Sequence, residues 1–222
     1  MTETKITVGG QVFDRFHVKT HVVMFGDKIE DVVEKYAKPI LQANDWLFIS
    51  EKVVAVTQGR AYKIVDIKVS FLANFLVKFV YKSPYGIGLG RPQTMQLAIN
   101  EAGAWRILLG ALVSAITKPF GVRGIFYKVV GKGINAIDGP CDYTLPPYNQ
   151  YAVLGPKDPD KVAAMLAEKN NCEVVIVDAN DLGVAILGAS KNVDRKLAAE
   201  IFRDNPLGQT NEQTPLCVVR KI

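Results

Sequence analysis

An α+β fold is the expectation from this sequence, and three observations carry it. Apolar stretches of strand length and amphipathic stretches of helix length alternate irregularly, without the steady strand–helix rhythm of a doubly wound sheet. Gly9 and Gly10 separate two alternating segments, and that dipeptide is what a tight hairpin needs. Further on, Val174, Val175, Ile176 and Val177 form a β-branched run that reads as a buried strand and stops abruptly at Asp178.

Taken in order, residues 6–8 and 11–24 alternate as a strand pair. Lys19, Thr20 and His21 stand just before a second apolar patch and the turn at Gly26–Asp27. Asp27 suits a helix N-cap, because Ile29, Val32, Val33, Tyr36, Ala37 and Ile40 then share one helical face. Residues 46–50 and 53–56 follow as an apolar strand interrupted by Glu51 and Lys52, where charges mark an edge or a mouth. A turn at Gly59 leads into a strand over 61–69. Lys52 and Arg60 could meet phosphate oxygens, Lys as a point charge and Arg as a two-pronged donor; a solvated strand pair explains the same spacing.

Residues 71–82 read as an amphipathic helix, followed by a Gly/Pro-rich connector over 83–92. Its GxGxG spacing lacks both a preceding strand and a following GK[ST], so neither nucleotide fingerprint is met. One long, mostly apolar helix is predicted over 94–117, with Glu101 and Arg106 as functional exceptions or, more simply, residues of its solvated face, then a strand over 121–130 and a glycine-rich turn over 131–140 carrying Asn135 and Asp138. Residues 141–152 look irregular. Asp158 with Pro159 opens a helix to about residue 169. After the acidic strand come residues 185–188, a helix near 193–203, a polar loop over 204–215 and a closing strand over 216–220. Loops of that length in a compact chain often carry function.

The bulk numbers narrow the class. With 222 residues the chain can bury a full core, as one large domain or two small ones; with 49% hydrophobic and 22% charged residues it is not a disordered chain. Its net charge of +5 comes from scattered Lys and Arg, which suits a phosphorylated small molecule as well as nucleic acid, though no interleaved basic and aromatic surface favours nucleic acid. Cys141, Cys172 and Cys217 are far apart and form no CxxC pair, which fits a reduced cytoplasmic interior. The first ten residues lack the apolar core of a signal peptide. The greasiest segment, 107–116, is too short for a span needing about 20 residues, and a buried helix is expected there instead of membrane insertion.

The acidic turn at the end of the 174–177 strand is the first candidate site. Asp178, Asn180 and Asp181 offer carboxylate and amide oxygens, the preferred ligands of a hard divalent cation. The alternative is a turn capped by Asp178 with an Asx-turn at Asn180–Asp181.

Three segments, read together, resemble the coenzyme F420-0:L-glutamate ligase family, enzymes that add γ-linked glutamates to a deazaflavin cofactor. The first is Asp45-Trp-Leu-Phe-Ile-Ser-Glu-Lys-Val-Val-Ala-Val-Thr-Gln-Gly-Arg60. The second is Gly133-Ile-Asn-Ala-Ile-Asp138, with Leu154-Gly-Pro-Lys-Asp-Pro-Asp160 downstream, and the third is Val174-Val-Ile-Val-Asp178. The ordered set covers roughly residues 18–220. The resemblance implies a single ligase-like domain over 1–222, with lobes at about 1–130 and 131–222. It also implies a mixed α/β arrangement with antiparallel-rich sheets, and an intertwined homodimer.

The resemblance further implies GTP or another nucleoside triphosphate, Mg²⁺ or Mn²⁺, and a small-molecule carboxylate activated as an acyl phosphate before the amine of L-glutamate attacks. Neither nucleic acid nor a membrane is an implied partner. By position, Asp178 matches a metal-binding aspartate, Asn135 takes the place of another, and Asp181 lies in the same acidic turn. Asp138 takes the place of a nucleotide-contacting asparagine, Lys52 matches a phosphate-side lysine, and Arg60 closes the first segment. Gly208, Gln209 and Gln213 fall in the nucleotide-contacting C-terminal loop. The chain departs from the family where Asn135 lacks a charge, Ala179 lacks a hydroxyl, Val56 replaces a lysine and Gln58 replaces a glutamate. Those departures fall on atoms that handle metal and phosphate, so a non-catalytic nucleotide or small-molecule binding protein on the same fold is the alternative.

Overall fold

The computed structural model describes residues 2–80, 88–122, 124–131, 133–142, 144–180, 183–208 and 212–222. It divides into two compact units interleaved along the chain: Met1–Arg60, Tyr143–Leu145 and Pro156–Ile222 form the first, and Ala61–Asp142 with Pro146–Gly155 the second. These limits differ from lobes divided at residue 130.

The first unit is built on a six-stranded sheet. Strands β1 (Thr2–Val8) and β2 (Gln11–Val18) form the expected hairpin, with Val8 facing Gln11 across Gly9–Gly10. Strand β3 (Trp46–Ser50), β6 (Glu173–Asn180), β7 (Gly183–Ala189) and β8 (Leu216–Lys221) complete the order β1-β2-β8-β3-β6-β7. Every neighbouring pair is antiparallel except β3 with β6, so the sheet is mixed and the fold is α+β. Because side chains alternate along each strand, Phe48, Val175, Val177, Cys217 and Val219 share one face. They form a core with Ala198, Ile201 and Phe202 of helix α8 (Arg195–Ile201) and its end. The Phe48 and Phe202 rings stack there at 4.0 Å. Asp194 caps α8 as Asp residues do, accepting from the Lys196 and Leu197 N–H groups at 2.8 and 3.2 Å.

Leu47, Ile49, Val174, Ile176, Leu216 and Val218 point to the opposite face and are fully buried. Helices α2 (Glu51–Thr57) and α7 (Pro159–Asn170) pack on this sheet, and α1 (Ile29–Tyr36) packs on α2. Pro159 opens α7 as expected, but Asp158 sits in the left-handed region and makes no side-chain cap. Residues 51–57 are helical, although a strand was expected there. Val53, Val54, Ala55 and Val56 are all buried, and a run apolar on every side carries no period to separate strand from helix. Residues 19–24 leave the β2 strand. Asp27 does not cap α1, whose N-cap is Lys28; its carboxylate accepts from Met24 N–H at 2.8 Å and pairs with His21 Nε2 at 2.9 Å.

Two arginine–carboxylate pairs, each with one member buried, anchor the sheet. Asp45, 1% exposed, takes two bonds from Arg220, Nε to Oδ1 at 2.9 Å and Nη2 to Oδ2 at 2.7 Å, and a third from Gln42 N–H at 2.8 Å. Arg15, 3% exposed, forks onto Asp204 and also donates to the Ile201 carbonyl at the end of α8. That placement puts a cation where the helix's carbonyls carry partial negative charge. The Arg15 bonds hold the Asp204 carboxyl below the ordinary carboxylate range. Burial, with Arg15 beside it, lowers His17. Burial pushes the Cys217 thiol up to about 12 and Cys172 to about 11, so neither is a nucleophile at neutral pH.

The second unit is mainly helical around a small two-stranded sheet, β4 (Ala61–Lys63) with β5 (Tyr151–Val153). The strand expected over 61–69 stops at Lys63, where a 3₁₀ turn begins. Helices α3 (Phe71–Leu76), α4 (Pro92–Ala102), α5 (Ala104–Thr117) and α6 (Ile125–Val130) bury Ala73, Met95, Ala98, Ile107 and Val130 in one cluster. Part of the 83–92 connector lies outside the described residues. The single helix expected over 94–117 is two, bent by 112° at Gly103. Its backbone φ of 87° is one that glycine adopts without strain.

The strand expected over 121–130 is helix α6. It lies so close to α5 that a Cβ at Gly110 would come within 2.6 Å of Val130 and 3.2 Å of Phe126. Packing there overrides the strand preference of an Ile-Phe-Tyr-Val-Val composition. The buried helix expected over 107–116 is also corrected. Only Ile107 and Gly110 of α5 are buried, and much of its apolar surface is exposed. Among the described residues no single helix is long and apolar enough to cross a membrane.

Candidate functional site

The register of the large sheet brings several segments to one end. Ser50, the last residue of β3, lies beside Val177 of β6, and Ile49 faces Leu216, the first residue of β8. Val18, the last residue of β2, faces the same Leu216. The chain ends that emerge together are therefore 19–21, 50–52, 178–180 and 213–215. Backbone bonds lock them: Ser50 N–H donates to the Pro215 carbonyl at 2.8 Å, and Thr20 N–H donates to the Gln213 carbonyl at 2.9 Å. No short-range pattern in the sequence joins these four segments; strand pairing does.

Asp178 is not the residue after a strand, as the sequence suggested. It lies within β6, which continues to Asn180 and pairs Asp178 with Ala185 of β7. Alternation turns Asp178 away from the Val175/Val177 face, toward the face that carries α2. Asp178 is half-buried, and Asn180 Nδ2 donates to its Oδ1 at 3.3 Å. Lys52 is half-buried in the first turn of α2, one residue beyond Glu51. The Ser50–Val177 pairing therefore places Lys52 and Asp178 at the same end of adjacent parallel strands, a cation and a carboxylate offered together.

Two residues at this end went unassigned in the sequence. Glu51 is a carboxylate only 6% exposed, which its position beside Lys52 in an apparent strand disguised as surface charge. His21 is held on both ring nitrogens, by Asp27 Oδ2 and by the Tyr36 hydroxyl, each at 2.9 Å. That His–Asp pair borders an open cleft of about 320 Å³ lined also by Lys28, Asp31 and Lys35. His21 draws the Asp27 carboxyl further below its ordinary range, after the larger effect of the Met24 N–H bond.

In the C-terminal loop, Gly208 has φ 75° and Gln213 φ 57°, left-handed conformations that turn the segment sharply. Gln213 is not a glycine and carries the backbone strain of that region, of order 1 kcal/mol. The loop is tied by Thr214 Oγ1, which donates to the Leu207 carbonyl at 3.0 Å. Arg60 is not beside Lys52. It follows the far end of α2, about 10 Å away along a seven-residue helix, with its N–H donating to the Ala55 carbonyl.

Asn135 and Asp138 belong to the second unit. Asn135 is exposed on a 3₁₀ turn, Ile134–Ala136. Asp138 is half-buried and bridges Val153 through two backbone bonds of 2.9 Å. Asp181 and Gln209 lie outside the described residues.

Among the described residues, no group of three or more His, Cys, Asp or Glu could hold a metal ion. One carboxylate with an amide neighbour nonetheless suits Mg²⁺, which commonly takes one or two carboxylates and completes its shell with waters and substrate phosphates. The donor set fits a cation delivered with a nucleotide better than a protein-only cage.

No curated protein matches the chain. A family comparison does: the F420-0:gamma-glutamyl ligase family matches residues 17–187, which include β3, α2 and all of β6. Over that span, most of its length, the chain belongs to the F420-0:gamma-glutamyl ligase family.

Proposed function

We propose that the chain is a nucleotide-dependent amide ligase that joins the amine of L-glutamate to a small-molecule carboxylate. The observation that supports this reading is the β3–β6 register, which sets Lys52 and Asp178 at the same end of two paired strands within the family-matched span. In the proposed reaction a carboxylate oxygen attacks the γ-phosphorus of GTP or another nucleoside triphosphate, and the nucleoside diphosphate leaves. The glutamate amine then attacks the carbonyl carbon of the acyl phosphate. The C–N bond forms, the C–O bond to phosphate breaks, and the amine's proton passes to solvent or base.

Phosphoryl transfer asks the protein mainly for position and charge. Lys52 supplies a point charge to phosphate oxygens. Gly208, Gln209 and Gln213 present the C-terminal loop to the nucleotide, and Arg60 serves a more distant part of the substrate than Lys52 does. Asp178 would hold Mg²⁺ or Mn²⁺, with waters and substrate phosphates completing the cation's shell. When bound, the cation neutralises phosphate charge as it develops. The active species is a homodimer, and a cytoplasmic setting accords with Cys141, Cys172 and Cys217 all being free.

Phosphate release tests the reading. The full chain with GTP, Mn²⁺ and a panel of small carboxylates is expected to release phosphate only when L-glutamate is present. Nucleotide binding without glutamate-dependent release would replace the ligase with a non-catalytic binding protein on the same fold.

A further inference from the structure

The second unit leaves an apolar stripe uncovered on α5 and the turn after it. Trp105 and Phe120, at its two ends, are 75% and 81% exposed, and Leu108, Leu109, Leu112 and Ile116 between them are 40–59% exposed. Residues 105, 108, 109, 112 and 116 recur at i, i+3, i+4, i+7 and i+11, so they share one helix face, while Ile107 and Gly110 face the core. Taking about 200 Å² for an aromatic side chain and somewhat less for an aliphatic one, the stripe exposes on the order of 600 Å². That is at the top of what a monomer's largest patch shows, about 300–600 Å².

Charge around the stripe has one sign. Between Glu101 and Asp138 the sequence holds five cations, Arg106, Lys118, Arg123, Lys128 and Lys132, and no carboxylate. Arg106 and Lys118 bracket the stripe and are exposed, as is Lys128 on α6, the helix packed against α5. The second unit as a whole carries ten Lys or Arg and four Asp or Glu, a net charge of +6. The first unit carries the other seventeen and eighteen, a net charge of −1. The chain's whole positive excess therefore lies on the unit that exposes the stripe.

We propose that the α5 stripe docks on the surface of an anionic lipid bilayer, a partner that the family resemblance does not imply. A helix face of Trp, Leu and Phe with cations beside it is the composition that settles at the headgroup–acyl boundary. Aromatic rings at both ends, with Arg or Lys next to them, are the side chains that anchor there, each with an apolar body and a polar or charged tip. A free amphipathic helix needs a polar face turned to water. In α5 that side is instead held in its own unit, with Val130 and Phe126 close against Gly110, so the helix is folded before it meets lipid. Contact is with one leaflet. No single described helix is long and apolar enough to cross, and α4, on the other side of the 112° bend, buries Met95, Leu97 and Ala98 in the protein's core. A second copy fits this face less well, because it would set +6 against +6 with no nearby carboxylates to answer the cations. The inference does not rest on the ligase chemistry: vesicle binding and phosphate release are read separately, and either can fail alone.

Flotation of the full chain with vesicles tests it. Vesicles of mixed phosphatidylserine and phosphatidylcholine should bind at least tenfold more tightly than phosphatidylcholine alone, and the difference should shrink as salt rises from about 0.05 to about 0.5 M. Tryptophan emission should shift to the blue on binding. Trp105→Phe should keep the binding and lose the shift, since the remaining Trp46 belongs to the first unit. Leu112→Glu should weaken binding at least tenfold with unchanged far-UV circular dichroism. Should that variant fail to fold, Lys118→Glu at an exposed site should weaken binding to phosphatidylserine vesicles by roughly tenfold or more, at about fivefold per charge near an anionic surface. No binding to either vesicle at low salt overturns the proposal. So does binding that ignores headgroup charge, that survives both substitutions in folded chains, or whose emission shift survives Trp105→Phe. A mass of twice 24.4 kDa that Leu112→Glu halves, without flotation, overturns it too and makes the stripe a contact between copies.

Discussion

Asp178→Asn should lower the rate of glutamate-dependent phosphate release by about 10²–10³-fold, the cost of removing one preorganised electrostatic contact from a charged transition state. The substitution keeps the side chain's shape and removes its charge. Asp178 sits half-buried at the rim of β6, beyond the fully buried Val174–Val177 run, so the fold does not depend on it. Its melting temperature should therefore stay within the range of an ordinary surface change, about 0.5 kcal/mol in stability. Activity and stability are separable at this position. A variant that keeps full turnover would remove Asp178 from the site. One that loses turnover only because it melts early would make it structural.

Asp45→Ala should have the largest effect on stability, about 1–3 kcal/mol, because it leaves the half-buried Arg220 guanidinium and the Gln42 N–H without their carboxylate partner. Total stabilities of such chains are about 5–15 kcal/mol, so the melting temperature should fall by roughly 5 °C. The pair ties β8 to the chain entering β3, and Arg220 also reaches the Ile40 carbonyl at 3.1 Å. It stands at the opposite end of those strands from Ser50 and Leu216. The fraction of Asp45→Ala molecules that remain folded should therefore turn over normally. Replacing both partners with apolar residues, Asp45→Leu with Arg220→Met, should recover much of the loss, since no buried charge is left uncompensated. A thermal melt of the single and double variants checks this, and equal losses in both would assign the effect to packing.

Chemistry local in the sequence was the legible part. The Gly9–Gly10 hairpin, the Pro159 helix start and the β-branched 174–177 strand each announce themselves within a few residues. What escaped reading depends on distant partners. The Glu51–Thr57 helix is apolar on every side because the sheet, α1 and the rest of its unit surround it, so no period survives to reveal it. Helix α6 forms because Gly110 lets it approach α5, and the chain near 125–130 carries no sign of that glycine. Composition predicts core for the exposed stripe on α5, since it cannot say which neighbour covers an apolar face.

The candidate site divides the same way. Lys52 and Asp178 were identified as separate residues, yet only the parallel pairing of β3 with β6 puts them together. Arg60 lies beyond the far end of α2 from Lys52, about 10 Å along its axis, so the two cations do not stand side by side. The sequence reads Asp27 as a helix cap, whereas the fold bonds its carboxylate to His21, six residues earlier.

The end of the β3–β6 pair, in the proposed function, is a phosphate and cation site. Crystals of the full chain grown with GTP and Mn²⁺ test it through the anomalous signal of manganese. The account predicts a peak about 2.0–2.3 Å from an Asp178 carboxylate oxygen, with the triphosphate bridging it and Lys52. Nucleotide bound elsewhere, or manganese density that avoids Asp178 altogether, would contradict it.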